Sequence, residues 1–233
     1  MKNLLVASTS TLYGGTYLSY LMEEISIHFK DTNEIVFIPY ARPGGISHDQ
    51  YTAIAAEAFS KIGKKIIGLH SFKNPEAALK SAKGVFVGGG NTFVLVKQLY
   101  TFRLMKTLRE KILKGLPYLG TSAGSNICGL TINTTNDMPI VYPPSFKTLG
   151  VLPFNINPHY LDPNSTSKHM GETRETRIKE FLMQQSVPVI GIREGSWLQV
   201  KNDQIILKGE YSARIFEHLK DPYEVVSDTI IKL

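Results

Sequence analysis

Short, continuous apolar runs alternate with stretches whose apolar residues recur every three or four positions, and this alternation fills the first half of the chain. Leu4 to Ser8 reads as a strand. Leu18, Leu21, Met22, Ile25 and Phe29 then mark one buried face of a helix. Ile35-Val36-Phe37-Ile38, stopped by Pro39, predicts a second strand. Tyr51, Ile54, Ala55, Ala58, Phe59 and Ile62 predict a second helix, closed by Gly63. Lys65 to Leu69 reads as a strand, Pro75 to Ala82 as a short helix and Val85 to Val87 as another strand. Phe93 to Lys114 is largely helical, with a break expected near Thr101, and Leu116 to Thr121 is again a strand.

Strands that are apolar throughout, rather than apolar on every second residue, are covered on both faces. Alternating with helices across short connections, they predict an α/β fold: a mostly parallel sheet in a three-layer α/β/α sandwich. The second half is less regular. Met138 to Pro153 is proline-rich and loop-like, Gly171 to Gln185 reads as a helix, and Val187 to Ile192 as a strand. Trp197 to Val200 and Gln204 to Leu207, joined around Asn202-Asp203, predict a C-terminal hairpin. With no repeat, low-complexity tract or linker, one domain over residues 1–233 is expected.

The candidate chemistry sits at strand ends. Leu116-Pro117-Tyr118-Leu119 runs into Gly120-Thr121-Ser122-Ala123-Gly124. A strand that breaks into Gly-x-Ser-x-Gly and restarts as a helix makes a sharp turn with the serine at its tip. Such a short pattern is equally compatible with a serine-capped turn, so its surroundings decide. His159 follows in Asn157-Pro158-His159, Glu194 follows a strand in Arg193-Glu194-Gly195, and an earlier strand ends in Gly88-Gly89-Gly90-Asn91. An α/β sheet gathers such ends along one edge.

A serine hydroxyl needs a base to take its proton, and His159 is the natural one. The imidazole in turn needs a carboxylate to fix its tautomer. Glu194 and Asp137, the latter in Thr135-Asn136-Asp137-Met138-Pro139, are the candidates, and the residues alone do not choose between them. The backbone amides of Ala123 and Gly90 are suited to hold an oxyanion.

Composition narrows the alternatives. An apolar fraction of 42%, with no stretch long enough to span a bilayer, describes a globular protein without a membrane partner. No signal peptide is expected at Met1 to Val6, and the single cysteine, Cys128, excludes an intrachain disulfide framework, so a cytoplasmic setting is expected. The net charge of +6 comes from scattered basic residues without any nucleic-acid motif, so no nucleic-acid partner is expected. The triple glycine lacks the lysine and hydroxyl of a P-loop. His28, His48, His70, His169 and His218 show no metal-ligand spacing, so no metal site is expected.

Taken together, Gly88-Gly89-Gly90-Asn91-Thr92, Ser122-Ala123-Gly124, Thr134-Thr135-Asn136-Asp137-Met138-Pro139-Ile140-Val141, Ile156-Asn157-Pro158-His159 and Gly171-Glu172-Thr173-Arg174-Glu175 resemble the peptidase E family. These are the α-aspartyl dipeptidases, serine peptidases related more distantly to cyanophycinase. The resemblance runs through nearly the whole chain. It implies a flavodoxin-like sheet close to class I glutamine amidotransferases, and cleavage of dipeptides with N-terminal aspartate, without a cofactor. A small peptide substrate and a monomer or homodimer are expected. Carried over by position, it makes Ser122 the nucleophile and His159 the base. Glu194 and Asp137 each match one description of the third member; Glu194 is the favoured one, with Asp137 supporting or meeting the substrate's amine. Arg174 matches the arginine that pairs with the substrate's aspartate side chain, and Asn91 falls in the substrate-binding loop.

The chain departs from the family pattern at Thr121, where the best-known members carry tryptophan, at Ser125, where a small apolar residue is usual, and over Tyr160 to Met170. Substrate preference is therefore the inherited property most open to change. The competing readings are a cyanophycinase-like or non-aspartyl aminopeptidase specificity on the same machinery, and a catalytically silent relative that binds an amino acid or peptide.

Overall fold

A computed structural model describes residues 1–164, 166, 168 and 170–233. The first half delivers the expected alternation: β1 (Asn3–Ala7), α1 (Met22–His28), β2 (Glu34–Ile38), α2 (His48–Ser60), β3 (Lys65–Gly68), α3 (Pro75–Ser81) and β4 (Val85–Val87). The predicted long helix is two, α4 (Thr92–Thr101) and α5 (Leu104–Leu113), because Arg103 between them turns to φ 57°. β5 (Tyr118–Thr121) then feeds the short α6 (Ala123–Asn126). The first helix also starts later than its apolar spacing suggests. Leu18 is left-handed at φ 59°, and a single 3-10 turn, Ser19–Leu21, precedes α1.

The second half contributes β6 (Asn155–Pro158), α7 (Arg174–Gln184), β7 (Val189–Ile192), β8 (Ser196–Lys201), β9 (Gln204–Gly209), β10 (Ala213–Phe216) and β11 (Tyr223–Val225). Two sheets result. One has seven strands in the order β3-β2-β4-β5-β1-β8-β9, and the other has four in the order β11-β10-β7-β6. The neighbours from β3 to β1 are all parallel. The predicted hairpin is β8 and β9, turned at Asn202 (φ 56°) and added antiparallel to β1. The four-stranded sheet is the feature that apolar spacing did not announce.

Successive strand residues enter opposite cores, which is the physical content of a sheet covered on both faces. Leu4, Val6, Val36, Ile38, Val85 and Val87 pack with Leu79, Leu95, Leu99 and Leu108 of α3, α4 and α5. Leu5, Ala7, Ile35, Phe37 and Phe86 pack on the other side, with Ile25 of α1 and Tyr51, Ala55 and Phe59 of α2. The α/β/α layering is thus as expected. It leaves the C-terminal ends of β4, β5 and β1 side by side, with the ends of β6 and β7 brought against them.

Candidate active site

Ser122 stands between β5 and α6 at φ 53°, ψ −110°, a conformation that non-glycine residues rarely occupy. The flanking glycines make the turn possible. A Cβ on Gly120 would lie 2.5 Å from the carbonyl oxygen of Gly124, and one on Gly124 would lie 2.2 Å from that of Val87. The Ser122 amide donates to the carbonyl of Ala7 at 3.1 Å, and its carbonyl accepts from the amides of Ser125 and Asn126, starting the helix. Ser125 uses its polarity internally: its hydroxyl lies 2.6 Å from the Ala7 carbonyl and 2.8 Å from that of Gly120. Thr121 is fully buried, and its hydroxyl has no hydrogen-bond partner among the described residues.

His159 follows β6, also at positive φ (55°). Its Nε2 is 2.7 Å from Ser122 Oγ, and its Nδ1 is 2.5 Å from Glu194 Oε1. A carboxylate only accepts, so Nδ1 carries the proton and Nε2 is left to accept from the serine hydroxyl. Glu194 follows β7, beside Arg193, whose guanidinium grips Asp162 with Nε (2.8 Å) and Nη2 (2.6 Å) and reaches Glu224 with Nη1 (2.9 Å). Hydrogen bonds from Arg193 to Asp162 and Glu224 raise the arginine's pKa further. The backbone that presents Glu194 is thereby fixed on one side.

Asp137 is placed elsewhere. Its Oδ2 accepts from the Thr92 amide at 2.7 Å and from the Thr135 hydroxyl at 3.1 Å, which puts it at the N-terminus of α4. A carboxylate is favourable there, since unpaired amides and the helix dipole both attract negative charge. Its Oδ1 has no hydrogen-bond partner among the described residues. Asn91 caps the same helix, its Oδ1 accepting from the Val94 amide (3.1 Å) and its Nδ2 donating to the Met138 carbonyl (2.8 Å). Both polar atoms of Asn91 are therefore occupied by the protein.

The glycine loop after β4 lies against the serine. A Cβ on Gly89 would be 3.0 Å from that of Ser122. Gly90, at φ 143°, abuts the Ala41 carbonyl so closely that a Cβ would lie 2.3 Å from its oxygen. Tyr51 steadies the loop by donating to the Gly89 carbonyl at 3.2 Å. Among the described residues, the amides of Gly90 and Ala123 meet no acceptor.

Arg174 opens α7 and lines a cavity of about 130 Å3 together with Asn136 and Asn157. Burial lowers its pKa from the ordinary arginine value, while the nearby negative charge of Glu194 acts in the opposite sense. Its Nη1 is buried without a partner among the described residues, as is Oδ1 of Asn157. Asn136 joins this cavity to the histidine, donating to the Pro158 carbonyl at 2.8 Å and accepting from Asn157 at 2.9 Å.

Cys128 is buried, with its thiol pushed up to about 12 by burial, which removes it as a nucleophile at neutral pH. Among the described residues, no group of three or more His, Cys, Asp or Glu side chains could hold a metal, and no helix is long and apolar enough to cross a membrane. His169 lies outside the described residues. Two contributors escaped the sequence reading. Ser8 accepts from the His159 amide at 2.8 Å, and Arg193 clamps the segment before Glu194. The sequence signal for Ser8 is its position at the end of the first apolar run, directly after β1.

Comparisons with known proteins identify relatives of the chain. Peptidase family S51 matches residues 4–208. A Drosophila melanogaster protein named "Probable alpha-aspartyl dipeptidase" is 46% identical over 93% of this chain and 90% of its own. A Streptomyces coelicolor protein named "Peptidase E" is 47% identical over 96% of this chain and 90% of its own. The crystal structure of a peptidase from an acI-B1 actinobacterium superposes with a TM-score of 0.76, covering 100% of this chain and 97% of its own at 18% identity, a likeness of fold.

Proposed function

Because the chain belongs to peptidase family S51, we propose that it is a serine dipeptidase acting on dipeptides with N-terminal aspartate through an acyl-enzyme. The observation that carries this reading is the continuous relay from Ser122 Oγ through His159 to Glu194, with contacts of 2.7 and 2.5 Å, built on a serine at φ 53°. A serine held only as a helix cap has no use for that conformation or for a carboxylate-oriented imidazole.

In this mechanism Ser122 Oγ attacks the scissile carbonyl carbon while its proton passes to Nε2 of His159. The Nδ1 proton stays on the histidine, where Glu194 stabilises the imidazolium. The carbonyl oxygen becomes an oxyanion facing the amides of Gly90 and Ala123. Collapse breaks the C–N bond, and His159 gives its proton to the departing amine. Water, deprotonated by the same nitrogen, then attacks the ester, releases aspartate and restores the serine.

Glu194 takes the orienting role in this reading because it occupies Nδ1. Asp137 offers its unengaged Oδ1 to the substrate's ammonium, and Asn91 holds the loop from which the Gly90 amide projects. Arg174 has a buried, unpartnered N–H to give the aspartate side chain, and a guanidinium binds a carboxylate directionally. The lone cysteine fits a reducing compartment, the cytoplasm.

The test is hydrolysis of Asp-Leu, Glu-Leu, Met-Leu and β-Asp-Leu by wild-type and Ser122→Ala protein without added metal. Asp-Leu should be cleaved by the wild type, with turnover lost in the variant. Cleavage confined to another dipeptide would keep the relay and overturn the Arg174 assignment. A folded protein that cleaves none of them would overturn the reading.

A further inference from the structure

We propose that Ser8 is a positioning residue whose buried hydroxyl fixes His159 in register with Ser122 and so sets the rate of the chemical step. This rests on the roles given to Ser122 and His159 above.

β1 ends between the two sheets, and its last residue and the one after it serve both. The Ala7 carbonyl accepts from the Ser122 amide at 3.1 Å. One residue on, the Ser8 hydroxyl accepts from the His159 amide at 2.8 Å and donates to the Ile192 carbonyl at 2.7 Å. The Ser8 amide itself donates to Ser196 at 3.1 Å, and Ser8 is wholly buried. Two consecutive residues thus hold the backbones of nucleophile and base.

The need for this brace follows from the local geometry. Ser122 and His159 are both non-glycine residues at positive φ, 53° and 55°. Such conformations persist where the surroundings over-determine them. β6 is an edge strand, paired on one side only, with β7. On that side Tyr160 continues the ladder, donating to Ile192 at 3.0 Å. The His159 amide has no strand to meet, and Ser8 is its acceptor. A hydroxyl can give one hydrogen bond while accepting another, so its single proton goes to Ile192 and a lone pair remains for His159. Alanine can do neither. Ser8 touches no reacting atom. It acts through the His159 backbone, whose displacement would open the 2.7 Å contact between Nε2 and Ser122 Oγ.

The experiment compares wild type, Ser8→Ala, Ser8→Cys and Ser8→Thr by kcat and KM on Asp-Leu, by the rate of Ser122 labelling with a serine-directed phosphonate, and by thermal unfolding. Misplacement of a catalytic group by about an ångström costs on the order of 100-fold in rate. Ser8→Ala should therefore lose about 10- to 100-fold in kcat and in labelling rate, with KM within about twofold. Ser8→Cys, matched in size but a poor acceptor, should behave similarly if the alanine variant does not fold. Ser8→Thr, which keeps donor and acceptor, should recover most of the loss. A folded alanine or cysteine variant with wild-type kcat and labelling rate overturns the proposal, whatever its unfolding temperature. Wild-type protein whose Ser122 is neither labelled nor active overturns the reading of the site, and the role of Ser8 falls with it.

Discussion

Gly90 shows how tightly single residues are specified around the serine. Its φ of 143° is closed to other residues, and a methyl group there would sit 2.3 Å from the Ala41 oxygen. Gly90→Ala must therefore move the loop that carries the unpaired amide. Losing one oxyanion donor typically costs about 100-fold or more in kcat. The variant should show that loss in kcat on Asp-Leu, with KM changed far less, in protein whose circular dichroism remains native. Unchanged kcat would remove the Gly90 amide from the oxyanion site. The elbow and His159 were legible in the sequence because glycine spacing and strand ends are local signals. The choice between Glu194 and Asp137 was not, since it depends on which carboxylate the second sheet brings to Nδ1. The spacing of residues within one strand says nothing about the packing of two sheets.

At the scale of elements, α4 connects the glycine loop to Asp137. Two side chains satisfy amides at its start, Asn91 at Val94 and Asp137 at Thr92. Removing such a cap costs about 0.5–2 kcal/mol. Asp137→Ala should lower the urea midpoint by the equivalent of about 1 kcal/mol with an unchanged m-value. It should also raise KM for Asp-Leu, because the Oδ1 assigned to the ammonium is gone. Destabilisation with an unaltered KM would restrict Asp137 to capping. Most elements were legible for the reason that made α4 legible: a helix face or an apolar run long enough to carry its period. β6, β10 and β11 were not. β6 reads Asn-Ile-Asn-Pro, too short and polar to announce itself, yet Asn157 is buried there, donating to Asn136 and to the Thr134 carbonyl. The polar residues that hide the strand from an apolar pattern are the ones that build the wall behind His159.

Over the whole molecule, the relay spans a joint: Ser122 belongs to the seven-stranded sheet, while His159 and Glu194 come from the ends of β6 and β7 in the four-stranded one. Ion pairs tie the outer strands of that smaller sheet to the segments near the site. Arg193 bonds Asp162 and Glu224, and Arg214 bonds Glu224 and Glu175. Burial opposes ionisation of Glu224, but hydrogen bonds from Arg193, Ser212 and Arg214 prevail and hold it down at about 2, against an ordinary glutamate value of 4.5. A group depressed in the folded state stabilises it fully above the unfolded value. That contribution is lost as pH falls from 4.5 toward about 2. Partial exposure of these side chains makes the effect modest and sensitive to salt. The wild-type urea midpoint should therefore drop as pH falls from about 5 to about 2, and Glu224→Gln should start lower and fall less steeply. If the glutamine variant loses stability as steeply as the wild type, some other carboxylate governs the acid response, and the Arg193–Glu224 pair is not what holds β11 to the end of β7.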